Sequence, residues 1–364
     1  MVNLNRSNRV RKPVKRLGAE RLLLIMLLSF AASVSLTRLF LQLTGYPKLG
    51  SGGLHIAHVI WGGLFLFTSA LLPMILANRW VYDVSALLTG IGIGLFIDEV
   101  GKFITQNNDY FYPPAAPIIY AFFLITVLVY LQVRRPSVRE PRTELYHSLE
   151  AIEEVLDRDL DEQERDNLDM RLTFIASHAE QNPDLASLAN ELQKFLHNQV
   201  LVVIPDQPTC VERWQVRINT WLSHYIDRST LRISIVLGLG LTGILALLKW
   251  IVFLSQSIGP DSINQALVEM TAASSVASPA GLDWFIARLV LEGIVGIILL
   301  TACILIIIKR VRTGLNLGYY GLLLSLTTVN LLLFYFDQFS TIIIALLQFF
   351  VLMEMIYYRK GFAK

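Results

Sequence analysis

About eight separate stretches of this chain each run for some twenty predominantly apolar residues, the length an α-helix needs to cross roughly 30 Å of hydrocarbon. They lie at Leu22 to Leu43, Leu54 to Ala77, Val84 to Thr105, Ala115 to Val133, Leu231 to Leu254, Trp284 to Ile308, Leu317 to Phe336 and Thr341 to Tyr357. Composition agrees: 54% of the 364 residues are hydrophobic and 16% charged, against about 25% charged in a soluble domain. A secreted disulfide scaffold, a collagen-like chain and a disordered protein are all excluded. The net charge of +2 supplies no field for a nucleic acid, and no nucleic-acid-binding motif is present. Cys210 and Cys303 fall in segments of different environment, so they make no disulfide framework.

Orientation follows from the basic residues, which short cytoplasmic loops retain and translocated loops shed. Arg6, Arg9, Arg11, Lys12, Lys15, Arg16 and Arg21 precede the first stretch, Arg79 follows the second, and Arg134, Arg135, Arg139 and Arg142 follow the fourth. Lys309, Arg310 and Arg312 follow the sixth, and Arg359, Lys360 and Lys364 come after the last. The opposite loops hold only Lys48. This predicts both termini on the cytoplasmic side of a plasma (inner) membrane. A cleavable signal is the rival reading of the first stretch, but its apolar run continues through Leu39, Phe40 and Leu41, too far for a signal core. The expected fold is therefore an all-α integral membrane protein of about eight transmembrane helices in two four-helix halves. Its divisions are a basic tail (1–21), a first half (22–133), a cytoplasmic helical insertion (134–228) and a second half (229–364).

The insertion is acidic, with 18 Asp and Glu against 11 Lys and Arg, which leaves the rest of the chain at about +9. Leu145, Leu149, Ile152 and Leu156, and again Leu185, Leu188, Leu192, Phe195 and Leu196, recur at helical spacing, and Pro183 with Asp184 marks a helix start. A further helix is expected after Pro208. Asp157, Asp159 and Asp161 resemble the opening of a calcium loop, but Glu162 stands where the turn glycine belongs and Leu168 where the bidentate glutamate belongs. A junction leading into a helix after Asp161 is the simpler reading. With no nucleophile beside a base, no phosphate loop and no metal spacing, the insertion reads as a binding or regulatory module for a basic cytoplasmic protein partner, or for the chain's own basic loops.

Ionisable residues within the apolar stretches carry the chemistry, because each costs about 2.5 to 3.5 kcal/mol at a span centre and is kept where it is partnered or useful. Arg38, His55, His58, Asp98, Glu99 and Lys102 gather near one membrane face, the outer one if the termini are cytoplasmic. Gly90, Gly94 and Asp98 are four apart, so Asp98 projects from a stripe of small residues into a helix interface. Lys102 lies within reach of both carboxylates. Three readings fit: a structural network, an ion or proton relay, and a divalent-metal site of a membrane hydrolase using His55, His58, Asp98 and Glu99. Two acids balanced by Arg38 and Lys102 favour ion, proton or small-solute handling by a non-enzymatic protein. Elsewhere, Arg288 and Glu292 are spaced to pair with each other, Glu354 to snorkel or meet Arg359, and Tyr110 to join an interfacial belt. His147, His178, His197 and His224 lack ligand spacing.

Taken together, His55-Ile-Ala-His58, the Gly90 to Gly94 run and Asp98-Glu99 resemble the pattern of a family of uncharacterised bacterial multi-spanning membrane proteins, in which HxxH opens one span and a glycine-rich stretch ending in Asp-Glu closes the next. The resemblance covers the second and third apolar stretches. It implies a bacterial plasma membrane and one shared site for the histidines and acids, and it implies no activity. The two halves also resemble each other, with Arg38 matched by Lys249 and Gly53-Leu54 by Gly281-Leu282, as a parallel repeat would require; any two apolar four-span stretches share that much.

Overall fold

The computed structural model describes residues 13–45, 57–110, 112–136, 139–157, 160–178, 182–197, 228–256 and 279–362. His55, Cys210, His224 and the helix expected after Pro208 lie outside the described residues. Every regular element among those described is helical. The α-helices are α1 (Ala19–Thr44), α2 (Val59–Ile75), α3 (Trp80–Ile97), α4 (Val100–Ile104), α5 (Ala115–Val133), α6 (Pro141–Asp157), α7 (Glu162–Ala176), α8 (Pro183–Leu196), α9 (Arg228–Gln256), α10 (Pro279–Ile307), α11 (Val311–Leu324), α12 (Asn330–Asp337) and α13 (Ile342–Phe362). A π-helical turn (Ser325–Val329) joins α11 to α12, and a 3₁₀ turn (Gln338–Thr341) joins α12 to α13.

Among the described residues six helical stretches are long and apolar enough to cross a bilayer: Ala19–Thr44, Trp80–Ile97, Ala115–Val133, Arg228–Val252, Asp283–Ile307 and Val311–Arg359. The last spans 49 residues, about twice what one crossing needs, and it is broken where Gln338 takes a φ of 49°. The apolar α2 is shorter, at 17 residues. Leu36, Phe67, Leu128, Leu237, Ile297 and Phe350 are each more than half exposed. Water would penalise so many outward-facing apolar side chains, whereas lipid does not. The chain is a multi-pass membrane protein.

The chain divides into two units that interleave along the sequence, one drawn from Met1–Phe30, Leu64–Gly92 and Thr126–Val216, the other from Ala31–Gly63, Ile93–Ile125 and Arg217–Lys364. In the first unit α6, α7 and α8 share a core of Leu145, Leu168, Leu172, Ile175, Ala189 and Leu196. A capping box starts α7: the Asp161 side chain accepts from the Glu164 N–H at 2.6 Å, and the Glu164 side chain accepts from the Asp161 N–H. Pro183 occupies the first turn of α8, where its missing N–H costs nothing.

A basic strap at residues 15–17 holds this bundle. Lys15 donates to the carbonyl of Val133 at 3.0 Å, one of the last carbonyls of α5, which have no partner within the helix. Arg16 pairs with Glu150 at 2.5 Å and lies over the Tyr82 ring, and the Leu17 N–H donates to Glu150 at 3.0 Å. His147 is buried. Its Nε2 is 2.8 Å from the carbonyl of Lys15 and its Nδ1 is 3.2 Å from Arg171. A carbonyl only accepts and a guanidinium only donates, so these partners select the neutral ring with its proton on Nε2. From the sequence a solvated or capping role is the default for this histidine, and its burial between Lys15 and Arg171 corrects that.

In the second unit α9 to α13 pack around Ile235, Leu239, Leu299, Ile306, Leu322 and Met355. Ser234 donates to Glu354 at 2.8 Å, so that carboxylate is held by α9 rather than by Arg359. The sequence runs the third apolar stretch unbroken to Thr105, but α3 ends at Ile97 and the short α4 comes after it. The Glu99 N–H donates to the carbonyl of Phe96, three residues back, at 3.4 Å. The tightened turn takes the backbone out of the α ladder at the two acids.

Gly90 provides a test of the first unit. A Cβ there would stand 1.9 Å from Ser29 Oγ and 2.3 Å from the carbonyl oxygen of Met26, whereas one at Gly63 would meet nothing within 4 Å. Gly90→Ala is expected to destabilise the protein by about 1–3 kcal/mol through overpacking, and Gly63→Ala to leave it unchanged or slightly more stable. Thermal unfolding of both variants in detergent checks this.

Candidate functional site

The second unit brings five of the six expected residues together. Asp98 is fully buried, Glu99 is 1% exposed and Arg38 5%. The Arg38 Nε donates to Asp98 Oδ1, and its Nη2 donates to the Asp98 backbone carbonyl at 3.0 Å. That carbonyl is available because α3 stops at Ile97, so one guanidinium satisfies both the side chain and the helix end. Lys102 lies 3.1 Å from Glu99 Oε2, one of the two pairings its spacing allows. Each buried carboxylate therefore has a cation of its own.

His58 stands between the two acids, with its side chain 22% exposed. Its Nε2 is 2.9 Å from Asp98 Oδ2. Its Nδ1 is 3.0 Å from Glu99 Oε1, at ion-pair distance but without hydrogen-bond alignment. A neutral imidazole has one N–H. With that proton on Nε2 for Asp98, the Nδ1 lone pair faces a carboxylate oxygen, and one further proton relieves the repulsion from either side. With the imidazole neutral and both acids ionised, Arg38, Lys102, Asp98 and Glu99 sum to zero charge. The arrangement has a defined place for a single additional proton between Nδ1 and Glu99 Oε1.

Two aromatic residues complete the site, and neither was singled out for it by sequence. Tyr110 donates its hydroxyl to Asp98 Oδ2 at 2.6 Å, and its ring centroid is 4.1 Å from the Arg38 guanidinium carbon. Phe339, in the 3₁₀ turn after α12, lies 3.7 Å from that same carbon. Arg38 is thus held by two rings, which favours the flat guanidinium over an ammonium group. Tyr110 sits beside a polar turn, a position that an interfacial belt residue would share. The signal for Phe339 is weaker still, since nothing local to it refers to Arg38.

Arg288 and Glu292 form a second buried group, 2% and 5% exposed. The expected pair is there at 3.6 Å. The principal partner of Arg288, however, is Asp337, which accepts from Nη1 at 3.0 Å and also from Nη2. The planar fork of arginine matches two carboxylate oxygens at once, and local spacing offers Glu292 no such geometry. Among the described residues no group of three or more His, Cys, Asp or Glu side chains is arranged to hold a metal ion.

Comparison of the chain with models of protein families, with characterised proteins and with solved structures gives no match. The chemistry of the cluster must be read from its own geometry.

Asp98→Asn keeps the shape of the side chain and leaves Arg38 buried opposite a neutral group. It is expected to destabilise the protein by about 3–5 kcal/mol, the cost of breaking a buried pair from one side. Tyr110→Phe removes one hydrogen bond to a charged acceptor and is expected to cost about 1.5–3 kcal/mol. Thermal unfolding of the two variants should rank them in that order.

Proposed function

We propose that this protein handles protons, or ions coupled to them, through the cluster of Arg38, His58, Asp98, Glu99, Lys102 and Tyr110. The observation that carries the reading is the half-buried imidazole whose two nitrogens lie 2.9 and 3.0 Å from two buried carboxylates. A relay needs a group that can be reached, a second group that can receive, and little net charge to drive either proton state away. His58 is the group that can be reached, Glu99 receives, and the fixed cations Arg38 and Lys102 hold the two acids in place. Asp98 orients the ring, since its oxygens are committed to Arg38, Tyr110 and His58. His55, three residues before His58 in the sequence, is assigned to the same site.

The topology we propose is eight spans in two halves of four. The break at Gln338 supports dividing the Val311–Arg359 run into two crossings, and α2 with His58 supports a crossing in which the imidazole lies near one end. The distribution of Lys and Arg supports both termini and the acidic bundle of α6 to α8 on the cytoplasmic side, and the resemblance carried by His55, His58, Asp98 and Glu99 supports a bacterial inner membrane. The bundle is a regulatory or interaction module, and the pairing of its Glu150 with Arg16 supports the view that its acidic face recognises basic segments.

In proteoliposomes carrying an internal pH-sensitive dye, the protein is expected to conduct protons under an applied potential. Glu99→Gln, which keeps the shape of the side chain and removes the carboxylate that can take up and release a proton, should lower the flux to that of empty vesicles. Flux unchanged in Glu99→Gln and in His58→Ala would sink the relay, and stoichiometric zinc, iron or manganese in the purified protein would favour the metal-dependent hydrolase instead.

Topology has its own check. Single cysteines at Asn107 and Ser187, in a background without Cys210 and Cys303, should be labelled by a membrane-impermeant maleimide from opposite sides. Labelling of Asn107 from the periplasm and of Ser187 only after lysis is expected.

A further inference from the structure

The helix that runs from α11 into α12 changes its hydrogen bonding at one place. The Asn330 N–H donates to the carbonyl of Ser325, five residues back; in an α-helix it would donate to Leu326. The carbonyl of Leu326 instead accepts the hydroxyl of Tyr120, from α5, at 2.5 Å. The Tyr120 ring stacks on Phe334, one turn beyond Asn330, with centroids 4.6 Å apart. Buried Asn330 donates from its side chain to Gln348 at 2.9 Å, which ties the start of α12 to α13. A single π turn inserts one residue into the helix. Everything after it is rotated by about 100° relative to a continuous α-helix.

The segment beyond the π turn reaches both buried arginines. Asp337 ends α12 and takes the fork of Arg288. Two residues later Phe339 covers Arg38. A rotation of about 100° would withdraw both. We propose that Tyr120 is a positioning residue for the polar cluster: by occupying the Leu326 carbonyl it holds the π turn, and the π turn sets the rotation at which this segment presents Asp337 to Arg288 and Phe339 to Arg38. Without the hydroxyl, the Asn330 N–H returns to Leu326, the π turn slides into the commoner α form, and the lid over Arg38 turns away. The consequence for proton handling rests on the relay proposed for the cluster; the register itself does not.

Phe285 and Phe336 report the register, because their rings meet edge to face at 5.5 Å and neither belongs to the cluster. In a background of Cys210→Ser and Cys303→Ala, Phe285→Cys with Phe336→Cys should be bridged by a short bifunctional maleimide, which reaches across the space that the two rings fill. Tyr120→Phe is expected to slow that cross-link at least tenfold. Deleting Thr327, an exposed residue of the π turn, removes the inserted residue, so the deletion combined with Tyr120→Phe should restore the parental rate in an ordinary α-helix. A merely structural Tyr120 would not be rescued by shortening another helix. Cross-linking unchanged in Tyr120→Phe overturns the proposal, and so does failure of the deletion to restore it. The deletion in the presence of Tyr120 must also cross-link at the parental rate; loss there overturns the proposal without depending on how well Tyr120→Phe folds. The cross-link is read without any flux, so a parent protein that conducts no protons would overturn the relay while the register assignment stands on its own data.

Discussion

The pair between Arg38 and Asp98 is the interaction on which the second unit depends. A guanidinium is charged at any pH the protein meets, and burying it at 5% exposure obliges the fold to provide a carboxylate beside it. The carboxylate in turn needs donors for its remaining lone pairs, which Tyr110 and His58 provide. Lysine could not replace this arginine: it lacks the fork that takes a side-chain oxygen and a backbone carbonyl of Asp98 together, and the flat face that two rings can hold. One buried charge thus has partners at the end of α3, in the turn that carries Tyr110 and in the turn that carries Phe339.

A second regularity concerns the backbone. In an apolar surrounding every carbonyl must find a donor, so departures from the α ladder are tolerated where another element supplies one. The Asp98 carbonyl, at the end of α3, goes to Arg38; the Leu326 carbonyl, freed by the π turn, goes to Tyr120; the Val133 carbonyl, at the end of α5, goes to Lys15. Each of these donors is a side chain from a different part of the chain. The irregular places in the helices are therefore among the points where long-range order is specified.

Much of this architecture was legible from length and spacing. Apolar runs of about twenty residues announce helices that cross lipid, and ionisable residues inside them announce a site; Lys102 and Glu99, three apart, meet as the helical repeat requires. The stripe of Gly90 and Gly94 pointed to close packing, and Gly90 does lie against the α1 backbone. What could not be read is what depends on distant partners. Hydropathy continues through Phe103 and Ile104, so nothing local marks the break at Asp98, which Arg38 stabilises from sixty residues away. Arg288 shows the same limit: spacing offered Glu292, and geometry preferred Asp337, forty-nine residues along the chain. Tyr110 and Phe339 stayed illegible for a related reason, since an aromatic near a polar turn looks alike whether it faces solvent or a buried charge; His147, inside α6, looks alike whether its helix face is solvated or packed.

The basic strap has a consequence in time as well as in space. Lys15 and Arg16 are bound by groups 118 and 134 residues further on. Chains emerge at roughly 5 to 20 residues per second, so these two residues wait on the order of ten seconds for their partners to be synthesised. Until Val133 and Glu150 are made the segment lacks the acceptors that hold Lys15 and Arg16 there; afterwards it is an internal brace between α5 and α6. The order of synthesis alone gives the same few residues two successive physical roles, and the second begins only when Glu150 has been made.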